Sequence, residues 1–203
     1  MKLMHRADLY AWSRFDEGRN IDFHSLLWVR AQGNVAIDPL PLSEHERARL
    51  LSLGGVRHIV VTNSDHTRAA LALAELCSAR IYGPRAEQDS FPIRCDAWLA
   101  DNDTLVDGLV ALELNGSKTP GELALLLEGT TLITGDLVRA HAGGRLDLLP
   151  APKLKDAALA HASLRRLAAL AGVEAVLPGD GWPVFHDGAR ALKELVARSA
   201  ASS

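Results

Sequence analysis

The sequence is poor in cysteine, has no excess of basic residues and contains no long hydrophobic run. Its two cysteines, Cys77 and Cys95, form no Cys-x-x-Cys pair, which argues against a zinc knuckle or a thioredoxin-like site and favours a reducing compartment. The 22 lysines and arginines are outnumbered by 25 aspartates and glutamates, so the charge balance argues against a nucleic-acid partner. No segment approaches the roughly 18 apolar residues of a membrane span, and the N-terminal residues do not resemble a signal peptide. We therefore expect a cytoplasmic protein without membrane contact.

The composition is that of an ordinary globular protein. Of the 203 residues, 48% are hydrophobic and 23% are charged, which argues against a disordered chain. A chain of this length buries enough surface to fold without a disulfide or a metal. We therefore expect a single domain over residues 1–203. A homodimer is an open alternative, because small apolar-rich proteins often pair.

Hydrophobic patterns predict two halves, each with strands followed by helices. In the first half, strands are expected over residues 8–15, 23–30, 35–37, 56–61 and 79–82, and helices over residues 42–54 and 67–77. In the second half, hairpin turns at Asp107-Gly108 and Glu128-Gly129 separate strands, and helices are expected near residues 154–171 and 188–197. Ser43 and Glu46 form a capping-box pattern at the first helix. This order predicts an α/β (α+β) fold with two packed sheets and helices outside, a four-layer αββα sandwich.

Three polar loops follow apolar strands. They span residues 62–66, 134–136 and 178–181, and they carry Asp65, His66, Asp136 and Asp180. Acidic side chains at the carboxyl ends of strands often mark a site in folds whose sheets are covered by helices. A fourth loop, residues 115–122, carries Lys118 between two strands. Its Gly-Ser-Lys-Thr run lacks the spacing of a phosphate-binding P-loop.

Four segments, in this order, resemble the metallo-β-lactamase superfamily. The early strand that ends in Asp is matched by GNVAIDP, and the H-x-H-x-D-H metal loop is matched by VVTNSDHTRA. The G-H-T-P-G loop, its hairpin and the Gly-Asp pair are matched by LNGSKTPGELALLLEGTTLITGD, and the late P-G-H-G loop is matched by VLPGDGWPV. The resemblance covers nearly the whole chain. It implies the αββα fold and, in most members, two metal ions, most often zinc, that activate water for hydrolysis.

The same resemblance implies an altered set of metal ligands. Asp65 and His66 stand at the last two positions of the first loop, and Asp136 stands at the bridging aspartate. Valine cannot ligate a metal and lysine is normally protonated, so a standard dinuclear centre is not expected. The histidines of the family pattern are replaced by Val61 and Asn63 in the first loop, by Lys118 in the second and by Asp180 in the last.

Two hypotheses follow from these replacements. In the first, the Lys118 ammonium takes the place of the metal as a counter-ion for converging carboxylates, and the protein is a divergent binder of a small ligand that need not be catalytic. In the second, the protein is a mononuclear hydrolase of a small ester, amide or thioester, with Asp65, Lys118 and Asp136 as catalytic candidates. Its one divalent ion, zinc, manganese or iron, is then held by Asp65, His66, Asp136 and Asp180.

Three further side chains are candidates for substrate binding, namely Asn63, Thr119 and Trp182. Their structural alternatives are an Asx-type bond for Asn63, a turn cap for Thr119 and a core position for Trp182. Arg68 either pairs with a carboxylate of the cleft or is an exposed helical residue. The expected partner is a small molecule.

Overall fold

The computed structural model describes residues 1–201, which form two large sheets, a two-stranded hairpin and four helices. The strands are β1 (Lys2–Leu3), β2 (Leu9–Asp16), β3 (Ile21–Trp28), β4 (Val35–Ile37), β5 (His58–Val60), β6 (Arg80–Pro84), β7 (Ala97–Leu99), β8 (Thr104–Val106), β9 (Leu109–Leu114), β10 (Glu122–Leu127), β11 (Thr131–Thr134), β12 (Val138–Ala142), β13 (Arg145–Leu148) and β14 (Ala175–Pro178). The helices are α1 (Glu44–Ser52), α2 (Ala70–Cys77), α3 (Ala157–Ala168) and α4 (Gly188–Ala201).

The first sheet has seven strands in chain order, β1 to β7. Strands β2, β3 and β4 are antiparallel neighbours, whereas β4, β5, β6 and β7 run parallel. Parallel neighbours need a crossover connection, which α1 provides between β4 and β5 and α2 provides between β5 and β6. Leu50 of α1 and Leu73 of α2 share an apolar cluster with Ile59 and Ile81 of the sheet. Burial of such side chains, at about 1.5–3 kcal/mol each, holds both helices on this face.

The second sheet has the order β14-β11-β10-β9-β8, with β11 and β14 parallel. Side chains of β10 alternate between its two faces, as expected for a strand buried on both sides. Leu123 and Leu125 lie in the cluster between the two sheets, whereas Ala124 and Leu126 belong to the cluster with α3 and α4. The layers are therefore helix, sheet, sheet and helix, which confirms the predicted αββα sandwich.

The helices differ from the sequence-based prediction mainly at their ends. The capping box of α1 is present, with the Ser43 amide donating to Glu46 Oε2 at 2.8 Å. The helix expected from residue 67 begins only at Ala70, because Arg68 has a backbone φ of 37°. A 3-10 turn over Ser64–His66 precedes it. Thus the segment that carries Asp65 and His66 is a separate turn.

The β12–β13 hairpin was not expected from the sequence. Its strands join through Gly143 and Gly144, of which Gly144 has a φ of 72° that favours glycine. The alternation Val-Arg-Ala-His-Ala before these glycines is the pattern that could have revealed it. The hairpin places Arg139 and His141 beside the loop that follows β14.

The loops that carry the candidate residues meet at one edge of the sandwich. Strands β4 and β5 are parallel neighbours in one sheet, as are β11 and β14 in the other, so the carboxyl ends within each pair lie together. The Leu123 amide donates to the Thr62 carbonyl at 2.8 Å, and the His24 amide donates to the Gly179 carbonyl at 2.9 Å. These bonds link the two sheets at that edge. Within residues 1–201, no helix is both long enough and apolar enough to cross a membrane.

Candidate functional site

A cleft of about 490 Å³ lies at the edge where the loops meet. Its wall includes Asp65, His66, Lys118, Asp136 and Asp180. The structure thus gathers in one cavity the four side chains considered as metal ligands and the lysine considered as their counter-ion.

The centre of the site is an ion-pair network around the Lys118 ammonium. Lys118 Nζ lies 2.8 Å from Asp65 Oδ2 and 3.1 Å from Asp136 Oδ2. The Asn63 amide donates to the same Asp136 oxygen at 3.0 Å. Although burial alone would raise the pKa of Asp136, the nearby His66 and Lys118 charges hold that pKa well below its usual range. Asp136 is therefore a carboxylate whose charge is already compensated by protein cations.

His66 is enclosed between two carboxylates. Its Nδ1 donates to Asp38 Oδ2 at 2.8 Å, and its Nε2 lies 3.5 Å from Asp136 Oδ2. Burial disfavours the charged ring, but the charges of Asp38 and Asp136 outweigh this and raise the pKa of His66 to about 9. His66 is thus an imidazolium at neutral pH. A metal at His66 would therefore have to displace a proton that Asp38 and Asp136 help to hold.

Asp180 has cationic partners of its own. It pairs with the Arg139 guanidinium, and its Oδ2 lies 3.1 Å from His141 Nε2. Its other oxygen, Oδ1, is buried and has no hydrogen-bond partner in the part of the chain that the structure describes. The last candidate ligand is therefore engaged by β12 and not by Lys118.

The three candidates for substrate binding lie in different surroundings. Asn63 is fully buried; besides its bond to Asp136, its Oδ1 accepts from the Asp65 amide at 3.0 Å, so it has the Asx-type bond and also contacts the centre. Thr119 is buried and donates to the Gly121 carbonyl at 2.9 Å, which stabilises its turn. Trp182 is 62% exposed and borders a different groove, beside Met4 and Phe185. Only Asn63 touches the ion-pair network directly.

Glu122, which the sequence analysis did not single out, organises the loops beneath the cleft. Its Oε1 accepts from the amides of Asp136 and Leu137, both at 2.9 Å, and its Oε2 accepts from Ser117 Oγ at 2.6 Å. It therefore ties the Lys118 loop to the Asp136 loop. Burial and the neighbouring Asp136 charge raise the pKa of Glu122 to about 7. The sequence signal was a lone acidic residue at the start of an apolar strand.

Arg139 and Asp38 are two further charged residues of the site that were not among the predicted site residues. Asp38 is buried, and its pKa is lowered because the charges and hydrogen bonds of His66, Arg68 and Thr62 outweigh desolvation. Its position at the end of the GNVAIDP segment was the available signal. Arg139 gave no comparable signal, because its partner Asp180 is distant in sequence and its hairpin was not predicted.

The donor set in this arrangement does not fit a metal ion. The ammonium of Lys118 lies between Asp65 and Asp136, His66 is held between Asp38 and Asp136, and Asp180 is paired with Arg139. Among residues 1–201, no group of three or more His, Cys, Asp or Glu side chains is arranged to hold a metal. The site is instead a neutralised network of fixed charges.

Comparison with known proteins places this geometry in context. A model of the metallo-beta-lactamase superfamily matches residues 1–199, and a search of curated proteins finds no match. The crystal structure of DIM-1 metallo-beta-lactamase is similar, with a TM-score of 0.75 at 16% identity over 100% of this chain and 96% of that chain. FIM-1 from Pseudomonas aeruginosa, solved in a mono-zinc form, gives a TM-score of 0.70 at 13% identity over 95% and 91%. TTHA1623, solved in a di-iron-bound form, gives 0.69 at 22% identity over 92% and 97%. At these identities the structural likeness establishes the fold.

Proposed function

Because the chain belongs to the metallo-beta-lactamase superfamily, we propose that it is a divergent member that binds a small molecule in the cleft without a metal centre. The observation that carries this proposal is the Lys118 ammonium, 2.8 Å from Asp65 and 3.1 Å from Asp136. The chain thus keeps the superfamily fold but places a protein cation between two carboxylates.

Electrostatics explains why a lysine can take this place. Carboxylates that converge in a partly buried site repel one another, and each is costly to hold in its charged form without a nearby cation. Lys118, His66 and Arg139 supply such cations to Asp65, Asp136 and Asp180. Each of these carboxylates therefore has a protein cation beside it, and a cavity of about 490 Å³ above them has the size of a small-ligand site.

The metal content of the purified protein tests the proposal. Untagged protein is prepared without chelator from separate growths supplied with zinc, manganese or iron, and metals are counted by mass spectrometry. We expect far less than one metal per chain under each condition. We also expect Lys118→Ala to gain affinity for zinc, since it frees Asp65 and Asp136 from their shared cation. Lys153→Ala removes a lysine from the same wall and is the matched control, for which no gain is expected.

The alternative is a mononuclear hydrolase that uses Asp65, His66, Asp136 and Asp180 to hold one zinc, manganese or iron ion. The observation that favours it is Asp180 Oδ1, a buried carboxylate oxygen without a hydrogen-bond partner among residues 1–201. It requires Lys118 and Arg139 to leave their present partners. One metal per chain in the unmodified protein, lost in Asp136→Ala together with turnover of a small ester, would establish this alternative and refute the metal-free proposal.

A further inference from the structure

A second cavity adjoins the cleft. It is a groove of about 700 Å³ along α1 and α2, with Leu42, Ala72 and Leu76 in its wall. Leu40 and Arg68 belong to the walls of both the groove and the cleft. The two cavities therefore share these two side chains, and the groove is the more apolar of the two.

Arg68 stands at this junction, where the charge of Asp38 acts on its guanidinium without direct contact. Its Nη1 donates to the carbonyls of His24 at 2.9 Å and of Asp38 at 3.1 Å. Its guanidinium lies over the Phe23 ring, 5.5 Å from the ring centre. Within residues 1–201 no carboxylate oxygen lies within 4 Å of it. The guanidinium is thus held in place by neutral groups.

The other charged side chains of the cleft are engaged with one another. Asp65 and Asp136 share Lys118, and Asp180 is paired with Arg139. Lys153 is exposed in the same wall and, like Arg68, has no carboxylate within 4 Å in the described chain. An incoming anion would meet these two cations without having to displace a protein carboxylate.

We propose that the ligand of this protein is an amphiphilic anion, with a carboxylate or phosphate head at Arg68 and Lys153 and an alkyl tail in the groove along α1 and α2. The proposal rests on the proposed function, since it names the class of small molecule that enters the same cleft. The head is selected by the two cations and the tail by the apolar wall. Each methylene that leaves water on binding strengthens affinity by about fourfold.

Calorimetric titration of the full chain with a homologous series tests this inference. The probes are butyl, hexyl and octyl phosphate and the fatty acids of the same lengths, each below its critical micelle concentration. Inorganic phosphate and acetate serve as head groups without a tail. We expect affinity to rise about fourfold per methylene along each series. The stronger of the two series identifies the head group.

Two variants locate the binding site. Ala72 is exposed on α2, so Ala72→Phe fills the groove without disturbing the core, and it should abolish the dependence on chain length. Ala158→Phe places the same ring in a groove on α3 and is the matched control, which should leave that dependence unchanged. Lys153→Ala should weaken each probe by about threefold, as expected for an exposed ion pair.

The outcomes separate this inference from the proposed function. Three results would overturn the proposal of an amphiphilic ligand, whatever the metal content. They are equal affinity for butyl and octyl phosphate, no binding of any probe, and a chain-length dependence that is unaltered in Ala72→Phe. A chain-length dependence that Ala72→Phe abolishes supports it. If the same protein carries one metal per chain, the metal-free function fails while the amphiphile site stands.

Discussion

Lys118 neutralises carboxylates differently from a metal ion. It supplies one positive charge and three donors, whereas a divalent ion supplies two charges and open coordination positions for water. Its side chain is 27% exposed and that of Asp136 is 7% exposed, so their pair is neither a surface contact nor a fully buried one. The pKa of Lys118 is raised, because Asp136 and Asp65 together outweigh the opposing effect of burial. The site thus holds a fixed protein charge beside Asp65 and Asp136.

Replacing Lys118 by methionine keeps the length of the side chain and removes its charge. We expect Lys118→Met to lower the free energy of unfolding by about 1–3 kcal/mol, between the values for exposed and buried ion pairs. Urea denaturation with chelator present measures the change. Lys153→Met, at an exposed lysine without a carboxylate partner, should alter it by less than about 0.5 kcal/mol. Equal stability of the two variants would show that the Lys118 pair does not stabilise the fold.

The protonation of His66 can be observed directly by nitrogen NMR of the imidazole rings. In chelator-treated protein at pH 7.5, both ring nitrogens of His66 should be protonated, with a titration midpoint at about 9. His58 provides an internal reference, because burial and the charges of Arg57, Arg30 and Arg80 lower its pKa. If His66 were neutral at pH 7.5, the ion pairs described for it with Asp38 and Asp136 would be wrong.

The contact between the β14 loop and β12 depends on a glycine. Gly181 has a φ of +88°, and a Cβ at this position would lie 2.1 Å from the Ala140 carbonyl oxygen. We expect Gly181→Ala to destabilise the protein by about 2–4 kcal/mol, because the backbone of the loop that holds Asp180 must move away from β12. Gly144→Ala is the matched control, since Gly144 also has a positive φ, +72°, and no atom lies within 4 Å of its added Cβ. Urea denaturation measures the free energy of unfolding of both variants, and equal values would exclude a close packing of this loop on β12.

At the level of elements, local patterns predicted the layers of the fold but not all partners within the site. The Ser43 capping box, the βαβ unit around β5 and α2 and the order of the four loops follow from residues close in sequence, so they were predictable. Arg139 was not, because its pairing with Asp180 depends on how a late hairpin packs beside β14. The sequence therefore suggested Asp180 as a metal ligand, whereas in the structure Asp180 pairs with the Arg139 guanidinium. Charge pairing between distant segments is a property of packing, and spacing along the chain does not encode it.

Across the whole molecule, the charged groups beneath the cleft make stability depend on pH. His66 and Glu122 have pKa values raised to about 9 and about 7, so the folded protein binds their protons more tightly than the unfolded chain does. Their stabilising contributions are complete below the unfolded values near 6.5 and 4.5 and are lost as pH rises through the folded ones. The lowered pKa values of Asp38 and Asp136 act in the opposite sense, because their contributions are lost as pH falls below about 4. Stability should therefore be greatest in mildly acidic solution.

The free energy of unfolding should then fall by about 3 kcal/mol between pH 6.5 and pH 9, the effect of the His66 shift. Urea denaturation at half-unit intervals of pH, with chelator present, measures this decline. Glu122→Gln keeps the shape of the side chain and its Oε1 acceptor, but it cannot titrate; it should flatten the decline between pH 4.5 and 7 and leave the decline above pH 7 intact. A stability that is constant or rises from pH 6.5 to 9 would mean that the two carboxylates beside His66 do not hold its proton. The site would then be open to a neutral imidazole, which is the form that can bind a metal.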